Sequence, residues 1–146
     1  MNKITLTIIS FLVATGLLLS ACGASPTPKA TLAGTNWALV SYGQVDKQIS
    51  ATSGSPTLLT FDSQGRVEGN LGCNGFSGTY KEQGGKLVFG PLVTTMKGCA
   101  KPQSSQEGVA FSVLTGSVDY KMDGSTLTIY DISGTNALIL SSSAQP

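Results

Sequence analysis

Apolar and polar residues alternate one by one in a series of short runs from Leu32 onward. Arg66–Leu71 is the cleanest run, with Val67, Gly69 and Leu71 on one face and Arg66, Glu68 and Asn70 on the other. A period of two sends successive side chains to opposite faces of a strand, so this run predicts an antiparallel strand with one wet face. The pattern recurs from Leu32, where Trp37, Leu39 and Ser41 alternate with Asn36, Ala38, Val40 and Tyr42, and again over Thr57–Asp62. Phe76, Gly78 and Tyr80 alternate with Ser77, Thr79 and Lys81; Lys86–Phe89 follows, and Pro91 opens a short segment, Leu92–Met96. Three further runs centre on Val118–Met122, Leu127–Ile129 and Asn136–Ser141. Ser63-Gln64-Gly65, Gln83-Gly84-Gly85, Asp123-Gly124 and Ser133-Gly134 supply the turns between them. Residues 43–55 are polar and rich in Gly and Ser and predict a long loop, and residues 142–146 a disordered tail.

The period changes once, after Cys99. Ala110, Phe111 and Leu114 recur at helical spacing, and Gly116 can end a helix. Ser104-Ser105-Gln106-Glu107 fits a capping box, with the Ser104 hydroxyl accepting from the Glu107 N–H and the Glu107 carboxylate reaching back. The prediction is one helix at about 103–115, of roughly three turns. About eight short strands on hairpin-length links, with one helix, make a mainly β (α+β) domain. A small, curled antiparallel sheet or a barrel removes exposed edges in such a domain.

The amino end is different in kind. Lys3 precedes an apolar run from Ile4 to Leu19 that is short for a bilayer span and reads as the apolar core of a signal peptide. Leu19-Ser20-Ala21-Cys22 then resembles the lipobox of bacterial lipoproteins. That resemblance implies removal of residues 1–21, a diacylglycerol on the Cys22 sulfur and acylation of the new amino terminus. Residues 22–31, rich in small residues and Pro, form a flexible tether with a reach of about 30 Å. The expected location is the cell envelope, lipid-anchored and extracytoplasmic. With Gly23 after the lipidated Cys, that means the outer membrane of a two-membrane host, or the outer face of the plasma membrane where there is one.

Composition narrows the chemistry. Without Lys3, 8 basic and 8 acidic side chains remain and balance, with no basic run, which argues against a nucleic-acid partner. The sequence has no His, which removes Ser–His and Cys–His pairs, His-ligated zinc and imidazole proton shuttling. Glu68 and Glu82 are the best placed acids for His-independent hydrolysis, but the first falls on a wet strand face and the second beside a turn. No calcium-loop spacing and no nucleotide-binding Gly pattern occurs, and Thr94, Thr95 and Tyr120 lack a base to activate them. The expectation is a monomeric non-enzyme with no cofactor, no metal and no catalytic residue. Cys73 and Cys99 are left for pairing, and export makes a disulfide the default. Closing that loop is worth about 3.5 kcal/mol in the chain-entropy account. Two buried free thiols, or a redox pair lacking the usual CxxC spacing, are the alternatives.

Cys73-Asn74-Gly75-Phe76-Ser77-Gly78-Thr79-Tyr80, followed by Thr94-Thr95-Met96-Lys97-Gly98-Cys99-Ala100, resembles the paired signature of the META-domain family, which includes HslJ-type bacterial lipoproteins. Leu32-Ala33-Gly34-Thr35-Asn36-Trp37 resembles the start of that domain, and Glu107, Phe111 and Leu114 its helical part, so the likeness spans nearly all of 32–141. It implies a lipocalin-like barrel with one helix and a role in heat or envelope stress, and supplies no reaction. Asn74, Phe76, Thr95 and Met96 form a candidate binding surface beside the cysteines. The structural alternative makes Asn74 a backbone-bonding turn residue and Phe76 and Tyr80 core residues. Trp37 likewise reads as a barrel plug rather than a ligand platform. The partner would be the membrane, through Cys22, together with an unknown protein or small molecule. A small ligand carried in the barrel interior and a partner-binding or inhibitor module acting through loops such as 43–55 are the competing functions.

Overall fold

A computed structural model of the protein describes residues 31–52 and 57–143. The chain folds into ten strands and one helix among these residues. In chain order they are β1 (Thr35–Gln44), β2 (Lys47–Ser50), β3 (Leu58–Phe61), β4 (Arg66–Asn70), β5 (Gly75–Gln83), β6 (Lys86–Phe89), β7 (Val93–Thr94), α1 (Gln103–Val113), β8 (Gly116–Asp123), β9 (Thr126–Tyr130) and β10 (Asn136–Ser143). The sheet runs β10-β9-β8-β6-β5-β4-β3-β1, and β1 pairs back with β10, which closes eight antiparallel strands into a barrel. β2 adds to β1 and β7 adds to β5 outside that circuit.

The alternation read from the sequence becomes the inside and outside of this barrel. Leu59, Phe61, Val67, Leu87, Leu127, Ile129, Leu138 and Leu140 all have 0% exposure. A side chain with no accessible surface borders no void large enough for water, so these residues fill the interior rather than line a lumen. Trp37 joins them at 3% exposure and donates its indole N–H to Thr35 Oγ1 at 2.7 Å, so it acts as the plug. Gly84 and Gly85 (φ +61° and +79°) make the two-residue turn between β5 and β6, a left-handed pair that other residues adopt only under strain.

Three expectations are corrected. Residues 43–55 are not one loop: β1 continues to Gln44 and returns as β2 through Val45-Asp46. Gln48 holds this hairpin, donating to the Gly43 and Gln44 carbonyls while its own carbonyl accepts from Ser41 Oγ. Ser142 and Ser143 are not a frayed tail but pair with Trp37 and Asn36 as the end of β10, because barrel closure uses the full length of β1. The helix begins at Gln103 with Pro102 at its cap position and has no side-chain cap, so Ser104 lies inside the first turn.

Asp131 organises the β9–β10 connection. Its carboxylate accepts from the Ser133 hydroxyl, the Asn136 side-chain amide and the backbone N–H groups of Thr135 and Asn136. Desolvation opposes its ionisation, but the hydrogen bonds outweigh it and hold the carboxyl below its ordinary value. A depressed carboxyl stabilises the fold at pH values above its unfolded-state pKa, and that contribution disappears as pH falls through the lower folded value. Asp131→Ala is therefore expected to melt a few degrees below the parent near neutral pH. The two melting curves should converge on acidification below the ordinary carboxylate range of about 4.

Candidate functional site: a stapled segment at the far end of the barrel

Strand direction sorts the connections into two ends. β1 begins, β3 ends, β4 begins, β5 ends and β8 ends at one rim, so this rim holds the entry of the chain at Thr31, the β3–β4, β5–β6 and β8–β9 turns, and Ser143. The opposite rim holds the β1–β2 turn, the β4–β5 loop, the long β6–β8 connection with α1, and the β9–β10 loop. Both halves of the cysteine signature lie at this far rim.

The β4–β5 loop is joined there to the segment after β7 in two ways, and to α1 in a third. Cys73 and Cys99 form a disulfide across Cα atoms 6.1 Å apart, the pairing expected of the two cysteines. Asn74, 7% exposed, uses its side chain as a surrogate strand residue. Its Oδ1 accepts from the Lys97 N–H (2.7 Å) and the Thr95 hydroxyl (2.8 Å), and its Nδ2 donates to the Lys97 carbonyl (3.4 Å) and to Glu107 Oε1 (2.8 Å). Glu107 completes the lock from α1: its Oε2 accepts from the N–H groups of Cys73 (3.1 Å) and Asn74. Two neighbouring amides aimed at one carboxylate form a small anion cradle, filled here by the protein's own side chain. A Cβ on Gly72 would lie 2.7 Å from the Gln103 carbonyl and 3.0 Å from Glu107 Cβ, so only glycine lets this loop sit against the helix.

The candidate surface is thus divided. Asn74 and Phe76 are buried, Phe76 edge-on to Phe111 with ring centroids 5.6 Å apart, while Thr95 and Met96 lie outside. Met96 is 97% exposed. Cys22, the signal peptide and the rest of the tether up to Ala30 lie outside the described residues. Glu107 is not a capping residue, because the cap position is Pro102, two residues before Ser104, and the cradle competes for its carboxylate. Sequence reasoning also missed Gln106, which is fully buried and bridges two loops: its Nε2 donates to the Leu71 carbonyl and its Oε1 accepts from the Thr52 N–H, both at 2.8 Å. The signal was present, since Gln106 precedes Ala110 by four positions and so shares the apolar stripe.

The other acids are placed apart from this lock. Glu68 lies exposed on the outer barrel face, paired across the sheet with Thr60 and Ser77. Glu82 ties down the chain entry: Oε1 accepts from the Leu32 N–H (2.8 Å) and Thr31 Oγ1, and Oε2 from the Tyr120 hydroxyl. Burial, then the Glu82 hydrogen bond and charge, push the Tyr120 phenol up; burial, then the charges of Glu82 and Asp62, do the same to Tyr80. Among the described residues, no three His, Cys, Asp or Glu side chains are grouped as metal ligands, and no helix is long and apolar enough to cross a membrane.

Comparison with known proteins agrees with this geometry. The sequence matches the META domain over residues 30–144. A solved solution structure of a protein from Burkholderia xenovorans is 26% identical, with a TM-score of 0.65, covering 83% of this chain and 98% of its own. A second solution structure (20% identity, TM-score 0.61) aligns over 77% of this chain and 95% of its own. The crystal structure of a DUF4847 family protein from Bacteroides vulgatus (12% identity, TM-score 0.53) aligns over 79% and 96%. These last two show the fold alone. No curated protein matches the sequence significantly.

Proposed function

The chain belongs to the META domain family, and on that footing we propose that it is a lipid-anchored protein of the cell envelope. Its barrel serves as a non-enzymatic binding or scaffolding module under envelope or heat stress. The observation that carries this reading is Leu19-Ser20-Ala21-Cys22 after an apolar leader. Two features of the fold support it. The chain enters the barrel at the rim where Glu82 holds Leu32, so a lipid on Cys22 turns that rim toward the membrane and the stapled far rim away from it. The interior is filled by side chains, which leaves the outer surface for recognition and weakens the case for a ligand carried inside. The Asn74 amide and the Glu107 carboxylate are committed to holding backbone, a structural use of the polar groups nearest the cysteines.

The full chain, expressed in a bacterial host fed labelled palmitate, is expected to carry the label and to fractionate with membranes. Cys22→Ala should lose both properties. An unlabelled wild-type chain would remove the anchor from the proposal. A deletion strain that grows like its parent under heat, detergent and antibiotic challenge would remove the stress role.

A further inference from the structure

Beyond Gly90 the barrel wall changes character. β6 pairs with β8 only as far as Phe89 and Gly116, and the chain then crosses to pair β7 with β5. Among the described residues, β7 has no other strand partner. Thr95 donates its N–H to the Gly75 carbonyl at 3.0 Å, and Phe76 lies opposite Thr94. Bonded and non-bonded pairs alternate in an antiparallel ladder, so Val93 and Thr95 spend their backbone groups on β5 while those of Thr94 point the other way. Lys97 continues the alternation, its N–H donating to Asn74 Oδ1, so the Met96 backbone also faces outward. Residues 93–97 thus present an extended edge, held from behind by the Asn74 side chain and the disulfide and bare in front.

The bare edge borders an apolar cleft. Leu92 and Phe111, both half-buried, line an open depression of about 600 Å³ between β7 and the end of α1, with Thr94 on its wall and Phe89 and Leu114 buried beneath its floor. Val93 and Met96 are 72% and 97% exposed on the same segment. An unpaired strand edge with exposed apolar residues is one that soluble proteins ordinarily cover or charge. β2, the other added strand, carries Lys47 at its start, the usual protection; β7 has only Val93 and Thr94. Lys97 ends this edge and Lys101 follows four residues further along the chain, both exposed, and among the described residues neither has a carboxylate within ion-pair distance.

We propose that this edge is a peptide-binding site. An extended polypeptide segment of another protein adds as a strand to residues 93–97, sets an apolar side chain into the cleft between Leu92 and Phe111, and places an acidic residue against Lys97 and Lys101. Strand addition gives affinity through main-chain bonds and specificity through alternate side chains, and this site supplies both elements. The inference names a partner chemistry for the binding role proposed above and rests on that role. Its test is independent of lipidation.

The probe is a fluorescein-labelled heptapeptide, Thr-Val-Thr-Leu-Thr-Asp-Glu, titrated against the full chain in detergent and followed by polarisation. Binding is expected, and amide hydrogen exchange at Thr94 and Met96 should slow in the complex. Thr94→Pro deletes an outward N–H without removing a bond to β5, and should weaken binding at least tenfold. Lys97→Glu with Lys101→Glu should weaken this peptide and strengthen a version ending in Lys-Lys. No binding, unslowed exchange at Thr94 and Met96, or wild-type affinity in Thr94→Pro overturns the proposal. So does self-association that blocks the edge, which would make a second copy the occupant. The exchange measurement uses the wild-type chain, so a poorly folded variant does not spare the idea.

Discussion

Replacing Glu107 by alanine is expected to cost about 3–5 kcal/mol of stability, although the residue lies on a helix face and is partly exposed. The size follows from what the carboxylate leaves behind. The N–H groups of Cys73 and Asn74 and the Asn74 side-chain amide lose their acceptor together. Each buried donor without a partner costs about 1–3 kcal/mol. Asn74 is itself the link to Thr95 and Lys97, so disorder at Glu107 propagates to the segment beyond β7. Glu107→Gln should recover only part of the loss, since its amide nitrogen cannot accept from a backbone N–H. Ser104→Ala is the control. In a capping box it would cost about 1 kcal/mol, whereas a serine inside the first turn should change stability by less than about 0.5 kcal/mol. Urea midpoints with unchanged slopes would measure all three. Equal, small effects at Ser104 and Glu107 would restore the capping box and refute the cradle.

That contrast shows where the sequence was readable. Val67 and Leu71 against Glu68, and Leu87 and Phe89 in β6, were legible because burial on one face imposes a period of two on neighbouring residues. β2 was not, because it lies outside the barrel on β1 and buries no apolar row; Gln48, a residue with no strand signature, holds it instead. Ser142 and Ser143 were unreadable for a related reason: their pairing with β1 serves closure of the circuit and leaves no hydrophobic trace. In the candidate site the cysteines and Asn74 stood out as residue types, and a backbone-bonding role was the structural alternative for Asn74. The partner of Asn74 was hidden because Glu107 also satisfies a local rule. A motif of four residues cannot say whether a glutamate reaches back along its own helix or across to a loop 33 residues away. The free edge at residues 93–97 had no local signature, since an absent neighbour is a property of the assembled sheet.

The disulfide gives the other large effect. Cys73→Ser with Cys99→Ser is expected to lower stability by about 3.5 kcal/mol, from the entropy returned to the unfolded chain by opening a loop with a sequence separation of 26. A reductant acting on the wild-type chain should reproduce the shift in melting temperature, and a melt unmoved by reductant would show that the bond contributes little. Loss of the bond should also be felt locally before it is felt globally. Thr95 and Lys97 remain tied to Asn74, whereas residues 98–101 are exposed and lose their one covalent anchor. Amide exchange should therefore rise first along that stretch, at conditions where the barrel strands stay protected. The serine pair and Glu107→Ala act on the same loop, so their costs should not add. Once Glu107 has released residues 73 and 74, the disulfide would hold two segments that are both loose, and a double-mutant cycle should show coupling of about 1 kcal/mol or more. A domain of this size has a margin of about 5–15 kcal/mol. Without the staple, the loss of about 3.5 kcal/mol would remove roughly a quarter to two-thirds of it. The Cys73–Cys99 bond supplies that share through the unfolded state, which is what allows a small, filled barrel to keep a bare strand edge ordered at the rim farthest from its chain entry.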